Sequence, residues 1–259
     1  MIKAVFFDID GTIFSHFTKQ VPPSTKQALQ ELKDKGVLRV AATGRHLIEL
    51  QDMDLLKYDF DGYVTLNGQI CLDRRLNVIY GNPFTERDRD AVIRLFKNKE
   101  MPLILMEKDR MYINYVDEHV VRAHEDIHTR IPDIREYGGA TLYMSAAYCE
   151  KDREAFLTSQ IGDCIFTRWS RHGVDIIPRG ADKVSGIEQF LAHAGIRREE
   201  SMAFGDGEND VAMLEYAAVG VALGNAKNEQ IKAAADYVTD HIDEDGLRKA
   251  LVRYQVLDD

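Results

Sequence analysis

Hydrophobic and polar positions along the first third of the chain alternate between two rhythms. Ala4-Val5-Phe6-Phe7 is an unbroken apolar run, the pattern of a strand covered on both faces. Ser24 is the expected N-cap of a helix from Thr25 to Lys35, with Leu29 and Leu32 on one face and Gly36 as its stop. Val37 to Ala42 reads as a second strand, ending at Thr43-Gly44-Arg45. A helix carrying Leu47, Ile48, Leu50 and Leu55 follows, then a strand Tyr63-Val64-Thr65-Leu66 closed by Asn67-Gly68. Strand, helix, strand, helix, strand predicts an α/β fold: a parallel sheet with right-handed crossovers.

The end of the chain repeats this style. Val184 to Ala194 is expected to be helical, with Gly195 as stop, and Ser201-Met202-Ala203-Phe204 is a strand that ends in Gly205-Asp206. Asp210 to Ala217, Lys227 to Ala235 and Asp245 to Tyr254 read as helices, with a strand Val219-Gly220-Val221-Ala222 among them. The middle differs. Helices are expected near Glu86–Lys99 and Glu118–Ile127. Strands near Leu103–Met106, Met111–Tyr115, Leu142–Ala146 and Ile165–Arg168 look hairpin-like and half-exposed. Residues 1–82 and 181–259 are therefore read as one split domain, interrupted by an inserted α+β domain over 83–180. The boundaries fall at Gly81-Asn82-Pro83 and Pro178-Arg179-Gly180.

Composition narrows the function classes. The chain has 259 residues, 45% of them hydrophobic and 29% charged, as expected of a globular protein. Acidic residues outnumber basic ones 43 to 33, a formal charge of −10, which argues against a nucleic-acid partner. Cys71, Cys149 and Cys164 are scattered, so neither a zinc cluster nor a disulfide framework is expected. The apolar start is too short for a signal segment and no stretch is long enough to span a bilayer. The expected location is cytoplasmic.

Chemistry concentrates where strands end. Asp8-Ile9-Asp10-Gly11-Thr12 follows the first strand directly. Ligands of open α/β sheets bind beyond the carboxyl ends of the strands, and two carboxylates placed there suit a hard cation and an attacking oxygen. Taken alone, an acid-x-acid-Gly also occurs in turns and calcium loops. Thr43-Gly44-Arg45 and Gly205-Asp206-Gly207-Glu208-Asn209-Asp210 end two further strands. Taken alone, Thr43 is also a reasonable helix cap, and Lys183 a solvated lysine. Together, Asp8, Asp10, Asp206 and Asp210 converging on one sheet edge require a cation between them, and Lys183 could add a second positive charge.

This ordered set (Asp8-x-Asp10-Gly11-Thr12, Thr43-Gly44-Arg45, Lys183 and Gly205-Asp206-Gly207-x-Asn209-Asp210) resembles the haloacid dehalogenase superfamily. More narrowly it resembles the Cof-type phosphatases, with a class IIB cap between the second and third motifs. Ile13 stands where Leu is usual, and Val184 where Gly is frequent. The resemblance implies a Rossmann-like core with an inserted α+β cap, and a Mg²⁺-dependent phosphomonoester hydrolase. It implies Asp8 as nucleophile, Asp10 as general acid and base, and a metal held by Asp8, Asp10 and Asp206. It places the phosphate against Thr43, Lys183, Asn209 and backbone N–H groups near Ile9 and Gly44, with Asp210 orienting the lysine or a metal-bound water.

For the leaving group, Trp169 and Asp175 in the cap and Arg45 and Asn67 in the core are the candidates. Trp169 is the sole Trp and lies among Arg168, Arg171 and His172. The bland readings are cap packing for Trp169, solvation for the arginines, and capping or turn formation for Arg45 and Asn67. The expected substrate is a small phosphorylated metabolite, a sugar phosphate first, and the expected assembly a monomer or weak homo-oligomer. A hexose phosphomutase, with a second phosphate site built from Arg168, Arg171 and Arg179, and a non-catalytic phosphate sensor are the alternatives. His16, His46, His119, His124, His128, His193 and His241 show no metal spacing and receive no role.

Overall fold

The computed structural model describes residues 1–127 and 129–259; His128 lies outside the described residues. Along the chain run β1 (Ala4–Phe7), α1 (Pro23–Asp34), β2 (Leu38–Ala42), α2 (Leu47–Asp52), β3 (Gly62–Thr65), β4 (Ile70–Asp73) and β5 (Val78–Gly81). Next come α3 (Glu86–Asn98), β6 (Leu103–Met106), β7 (Met111–Ile113), α4 (Glu118–Ile127), β8 (Met144–Tyr148), α5 (Glu154–Gln160), β9 (Cys164–Arg168) and β10 (Gly173–Pro178). The chain closes with α6 (Lys183–Ala194), β11 (Ser201–Gly205), α7 (Val211–Tyr216), β12 (Val219–Ala222), α8 (Glu229–Ala234), β13 (Tyr237–Val238) and α9 (Gly246–Arg253). Two compact units result. The first comprises Met1–Arg45, Leu55–Tyr80 and Asp182–Asp259; the second comprises His46–Asp54 and Gly81–Ala181.

The first unit is built on an eight-stranded sheet in the order β13-β12-β11-β1-β2-β3-β4-β5. Its central strands are parallel: Ala4 pairs with Ser201 on one side and Leu38 on the other, and Phe7 with Phe204 and Ala41. This register brings the carboxyl ends of β1, β2 and β11 to one edge. All four residues of β1 are fully buried, because the sheet is covered on both faces. Ile187, Phe190 and Leu191 of α6 and Met213 and Leu214 of α7 pack on Phe6, Val40 and Val64, and α1 packs on β2 and α9. β4 returns antiparallel beside β3, and β5 extends the sheet beyond it.

Two helix starts differ from the sequence reading. α1 begins at Pro23, whose fixed φ suits the first helical position, and Ser24 lies inside the first turn without capping it. α6 begins at Lys183 itself. Asp182 is the cap, accepting from the Ser185 amide at 2.9 Å, so the lysine is the first helical residue. The helix after β2 ends at Asp52 and does not reach Leu55.

The second unit holds a five-stranded sheet in the order β7-β6-β8-β10-β9. The expectation of half-exposed strands holds only for β9. β6 and β8 are buried throughout. α3 and α5 cover one face with Ala91, Val92, Leu95, Phe96 and Leu157. α4 packs on β8 and β10, and its His124 ring meets the Tyr148 hydroxyl at 2.8 Å. Tyr148 and Ala147 are successive residues of β8 and so point to opposite faces. The segment 46–54 belongs to this unit, where His46 Nε2 lies 2.7 Å from the Glu107 carbonyl.

Candidate active site

Past Phe7 the chain turns sharply. The Ile9 carbonyl accepts the amides of Ile13 and Phe14 at 3.0 and 2.8 Å, and Gly11 takes a φ of +79°. A Cβ at Gly11 would sit 2.1 Å from Asp206 Oδ2, so this turn forms a cradle for the Asp206 carboxylate that only glycine leaves open. Carboxylate oxygens of Asp8, Asp206 and Asp210 all come within 4.8 Å of one another. They arrive from loops after β1 and β11, neighbours in the sheet though far apart in the chain.

Lys183 lies among them and is 2% exposed. Its Nζ donates to Asp8 Oδ1 at 2.7 Å and to Asp210 Oδ1 at 2.6 Å. Burial disfavours its charge, but the Asp210 and Asp8 carboxylates outweigh that and hold the ammonium above its ordinary range. The other Asp210 oxygen accepts from the amides of Asp206 and Gly207 at 3.1 and 2.9 Å, which fixes the β11 loop to the lysine. The lysine is seated by close backbone approach: Gly68, at φ +92°, abuts the Asp182 carbonyl with no room for a Cβ.

Burial pushes the Asp206 carboxyl up to about 7, with the Asp210 charge adding to it. Burial and Asp210 likewise raise Asp8, against the lowering pull of Lys183. Three oxygen-only ligands crowded around a single ammonium fit a hard divalent cation, whose charge would offset the repulsion that raises them. The Gly11 cradle, shaped to the Asp206 carboxylate, fits the same use.

Asp10 is engaged differently. Arg45 grips it through Nε at 2.6 Å and Nη2 at 2.8 Å, and His16 Nε2 lies 3.0 Å from Oδ1. Burial would raise this carboxyl, but the hydrogen bonds from His16 and Arg45 prevail and hold it well below the usual carboxylate range. Arg45, expected among substrate contacts, thus pairs with Asp10. Thr43 is buried and its Oγ1 accepts the Arg45 amide at 3.1 Å. Asn67, at φ +54°, packs against Gly44 and accepts from Asn209 Nδ2 at 3.1 Å.

Two residues at this edge carry no role in the sequence reading. His16 follows the Gly11 turn, and its neighbourhood with Asp10 depends on that turn. Asn225 Nδ2 donates to the Gly11 carbonyl at 2.8 Å and to Asp206 Oδ2 at 3.0 Å, clipping the β1 loop to the β11 loop. It follows β12 closely, so the same strand-end rule would have found it.

Trp169 and Asp175 lie in the second unit. Trp169 packs edge-on to Tyr148 at 6.1 Å. Burial, with the nearby Glu49 charge, pushes the Asp175 carboxyl up to about 8, against a hydrogen bond from Trp169. Arg168, Arg171 and Arg179 are each paired with a different acid, Glu154, Glu150 and Asp163 respectively.

The family model for haloacid dehalogenase-like hydrolases matches residues 5–251. YkrA of Bacillus subtilis (strain 168), which bears a provisional phosphatase name, is 32% identical over 96% of both chains. The 5-amino-6-(5-phospho-D-ribitylamino)uracil phosphatase YitU of the same organism is 28% identical, again over 96% of both. Among solved structures, the subclass IIB sugar phosphatase BT4131 superposes with a TM-score of 0.80 at 35% identity, covering 98% of this chain and 100% of its own.

Proposed function

Since the chain belongs to the haloacid dehalogenase-like hydrolases and, with phosphatases as its relatives over nearly its full length, is itself a phosphatase, we propose that it hydrolyses small phosphomonoesters, sugar phosphates first, with Mg²⁺ and through an aspartyl-phosphate on Asp8. The observation that carries this reading is the buried Lys183 ammonium bridging Asp8 and Asp210 beside the Asp206 carboxylate. It makes an anionic nucleophile tolerable next to an anionic substrate.

In the first step an Asp8 oxygen bonds to phosphorus and the bond from phosphorus to the ester oxygen breaks. The alcohol leaves with a proton from Asp10. In the second, Asp10 takes a proton from water, the water oxygen bonds to phosphorus, and the Asp8–phosphorus bond breaks to release inorganic phosphate. Asp8, Asp206 and the Asp10 carbonyl are the ligands assigned to Mg²⁺, which when bound neutralises phosphoryl charge. Lys183, Thr43, Asn209 and the amides near Ile9 and Gly44 hold the remaining phosphoryl oxygens. Asp210 orients Lys183. The Arg45–His16 clamp holds Asp10 ionised, the form its base role needs. Its acid role needs a proton, and His16, hydrogen-bonded to Oδ1, is the neighbour placed to pass one.

The inserted unit, with Trp169 and Asp175, is assigned to recognising the leaving group; Asn67, expected to face that group, is reassigned to the phosphate side through its bond with Asn209. YitU and BT4131 are named for a ribityl phosphate ester and for sugar phosphates, which supports this substrate class. The separate pairing of Arg168, Arg171 and Arg179 with acids disfavours a second phosphate site, and so a phosphomutase. The test is phosphate release from p-nitrophenyl phosphate and a sugar-phosphate panel. Activity that depends on Mg²⁺, stops with EDTA and is abolished by Asp8→Asn in a folded protein is expected. Undiminished turnover in Asp8→Asn would remove the nucleophile.

A further inference from the structure

Two histidines and a glutamate meet in the inserted unit, none of them given a catalytic or substrate-binding role above. His119 lies in the first turn of α4, His172 in the tight turn between β9 and β10, and Glu150 just past the end of β8. The Nδ1 atoms of the two rings are 3.0 Å apart, and one ligand atom from each of the three residues lies within 4.8 Å of the others. The backbone holds them there. Asp117 Oδ1 accepts the His119 amide at 2.9 Å, Ser170 Oγ accepts the His172 amide at 2.9 Å, and the Cys149 amide donates to the His172 carbonyl at 2.9 Å, which sets Glu150 beside that ring.

We propose that His119, His172 and Glu150 form a binding site for a divalent transition ion of the zinc class. A hydrogen bond between the two Nδ1 atoms needs one of them as acceptor, so one presents a lone pair, the form a metal requires. Ligand nitrogens about 2.0–2.1 Å from a tetrahedral zinc stand roughly 3.3 Å apart, so the observed 3.0 Å needs only a small ring adjustment. Two imidazoles and one carboxylate select zinc, cobalt, nickel or copper over the oxygen-preferring magnesium. Arg171 bonds Glu150 Oε1 at 3.1 Å, and a carboxylate keeps acceptor capacity beyond one such partner. An ion here would tie the start of α4, the end of β8 and the β9–β10 turn together. Three protein ligands leave its fourth position open.

Tag-free, full-length protein in excess Mg²⁺, which occupies the acidic cluster around Asp8, is titrated with Zn²⁺ by calorimetry. In parallel, Co²⁺ is followed by its visible absorption and by quenching of Trp169, whose ring packs against Gly173, the residue after His172. One Zn²⁺ bound at micromolar or lower concentration is expected, with a tetrahedral Co²⁺ spectrum. His119→Ala and Glu150→Gln should each weaken binding at least about tenfold while metal-free melting stays unchanged. Glu150 is a surface residue, so its variant keeps the test open if His119→Ala fails to fold. Wild-type protein that binds no Zn²⁺ beyond the Mg²⁺-blocked cluster, or a folded variant that binds it less than tenfold more weakly, overturns the site.

Discussion

Replacing Lys183 by Met keeps most of the side-chain volume and deletes the charge between two buried carboxylates. Asp210 is fully buried and Asp8 nearly so, and each loses a charge-assisted hydrogen bond of 2.6–2.7 Å. Breaking a buried ion pair from one side costs about 3–5 kcal/mol. An independent bound comes from the easiest escape, one proton shared by the stranded pair. For an acid with an ordinary pKa of about 3.9, protonation costs about 4 kcal/mol at pH 7 but only about 1.5 kcal/mol at pH 5. The sign follows from the same linkage: with the lysine gone, the Asp8 carboxyl, already raised by burial, rises further, so stability is present at low pH and lost as pH rises through the new value. At about 2–4 °C per kcal/mol, the variant should melt roughly 8–16 °C below wild type at pH 7 and roughly 3–6 °C below it at pH 5. Calorimetry in EDTA at both pH values, scored as variant minus wild type, measures this. A deficit under about 2 °C at pH 7, or one equal at the two pH values, would refute the picture of an ammonium neutralising two buried carboxylates.

Asp10→Asn should lower kcat by about 10²–10⁴ for alkyl phosphates and much less for p-nitrophenyl phosphate, because a good leaving group needs no proton; equal losses on both would remove Asp10 as the acid. Gly11→Ala should cost about 1–2 kcal/mol for its left-handed backbone and displace the Asp206 carboxylate, raising the Mg²⁺ concentration for half-activity at least about tenfold; an unchanged requirement contradicts the cradle. Asp206, with a folded pKa of about 7 against an ordinary 3.8, destabilises the metal-free protein increasingly as pH rises from about 4 through 7. Melting in EDTA should therefore rise from pH 8 to pH 6 on this residue's account, an effect absent in Asp206→Asn. Mg²⁺ affinity, read by calorimetry, should fall over the same acidification, and a flat affinity sinks the assignment.

The convergence of the candidate site at one sheet edge was legible because its strands are apolar runs that stop abruptly on polar residues. Phe7 gives way to Asp8, Ala42 to Thr43 and Gly205 to Asp206, and parallel pairing brings those stops together. Asn225 obeyed the same rule after β12 and carries an equally plain signal. His16 did not, since its place beside Asp10 comes from the Gly11 turn and not from any spacing. β4 and β5 are four residues each and offered too little pattern for assignment. β10 is buried at every position but Asp175, yet its charged neighbours drew attention as chemistry and hid the strand. The segment 46–54 has the apolar spacing of any helix after a strand, and nothing in it announces the unit it joins. His119, Glu150 and His172 are separated by 31 and 22 positions, and only the strand order of the inserted sheet brings them together.

The strand at the middle of the large sheet is synthesised well before one of its two partners. Ala4 meets Ser201 only after the long stretch of chain between them has been made. At roughly 5–20 residues per second, the Ala4–Phe7 backbone waits on the order of ten to forty seconds on the ribosome with one side open. Nascent-chain chaperones therefore have a defined window in which this fully buried apolar segment needs shielding.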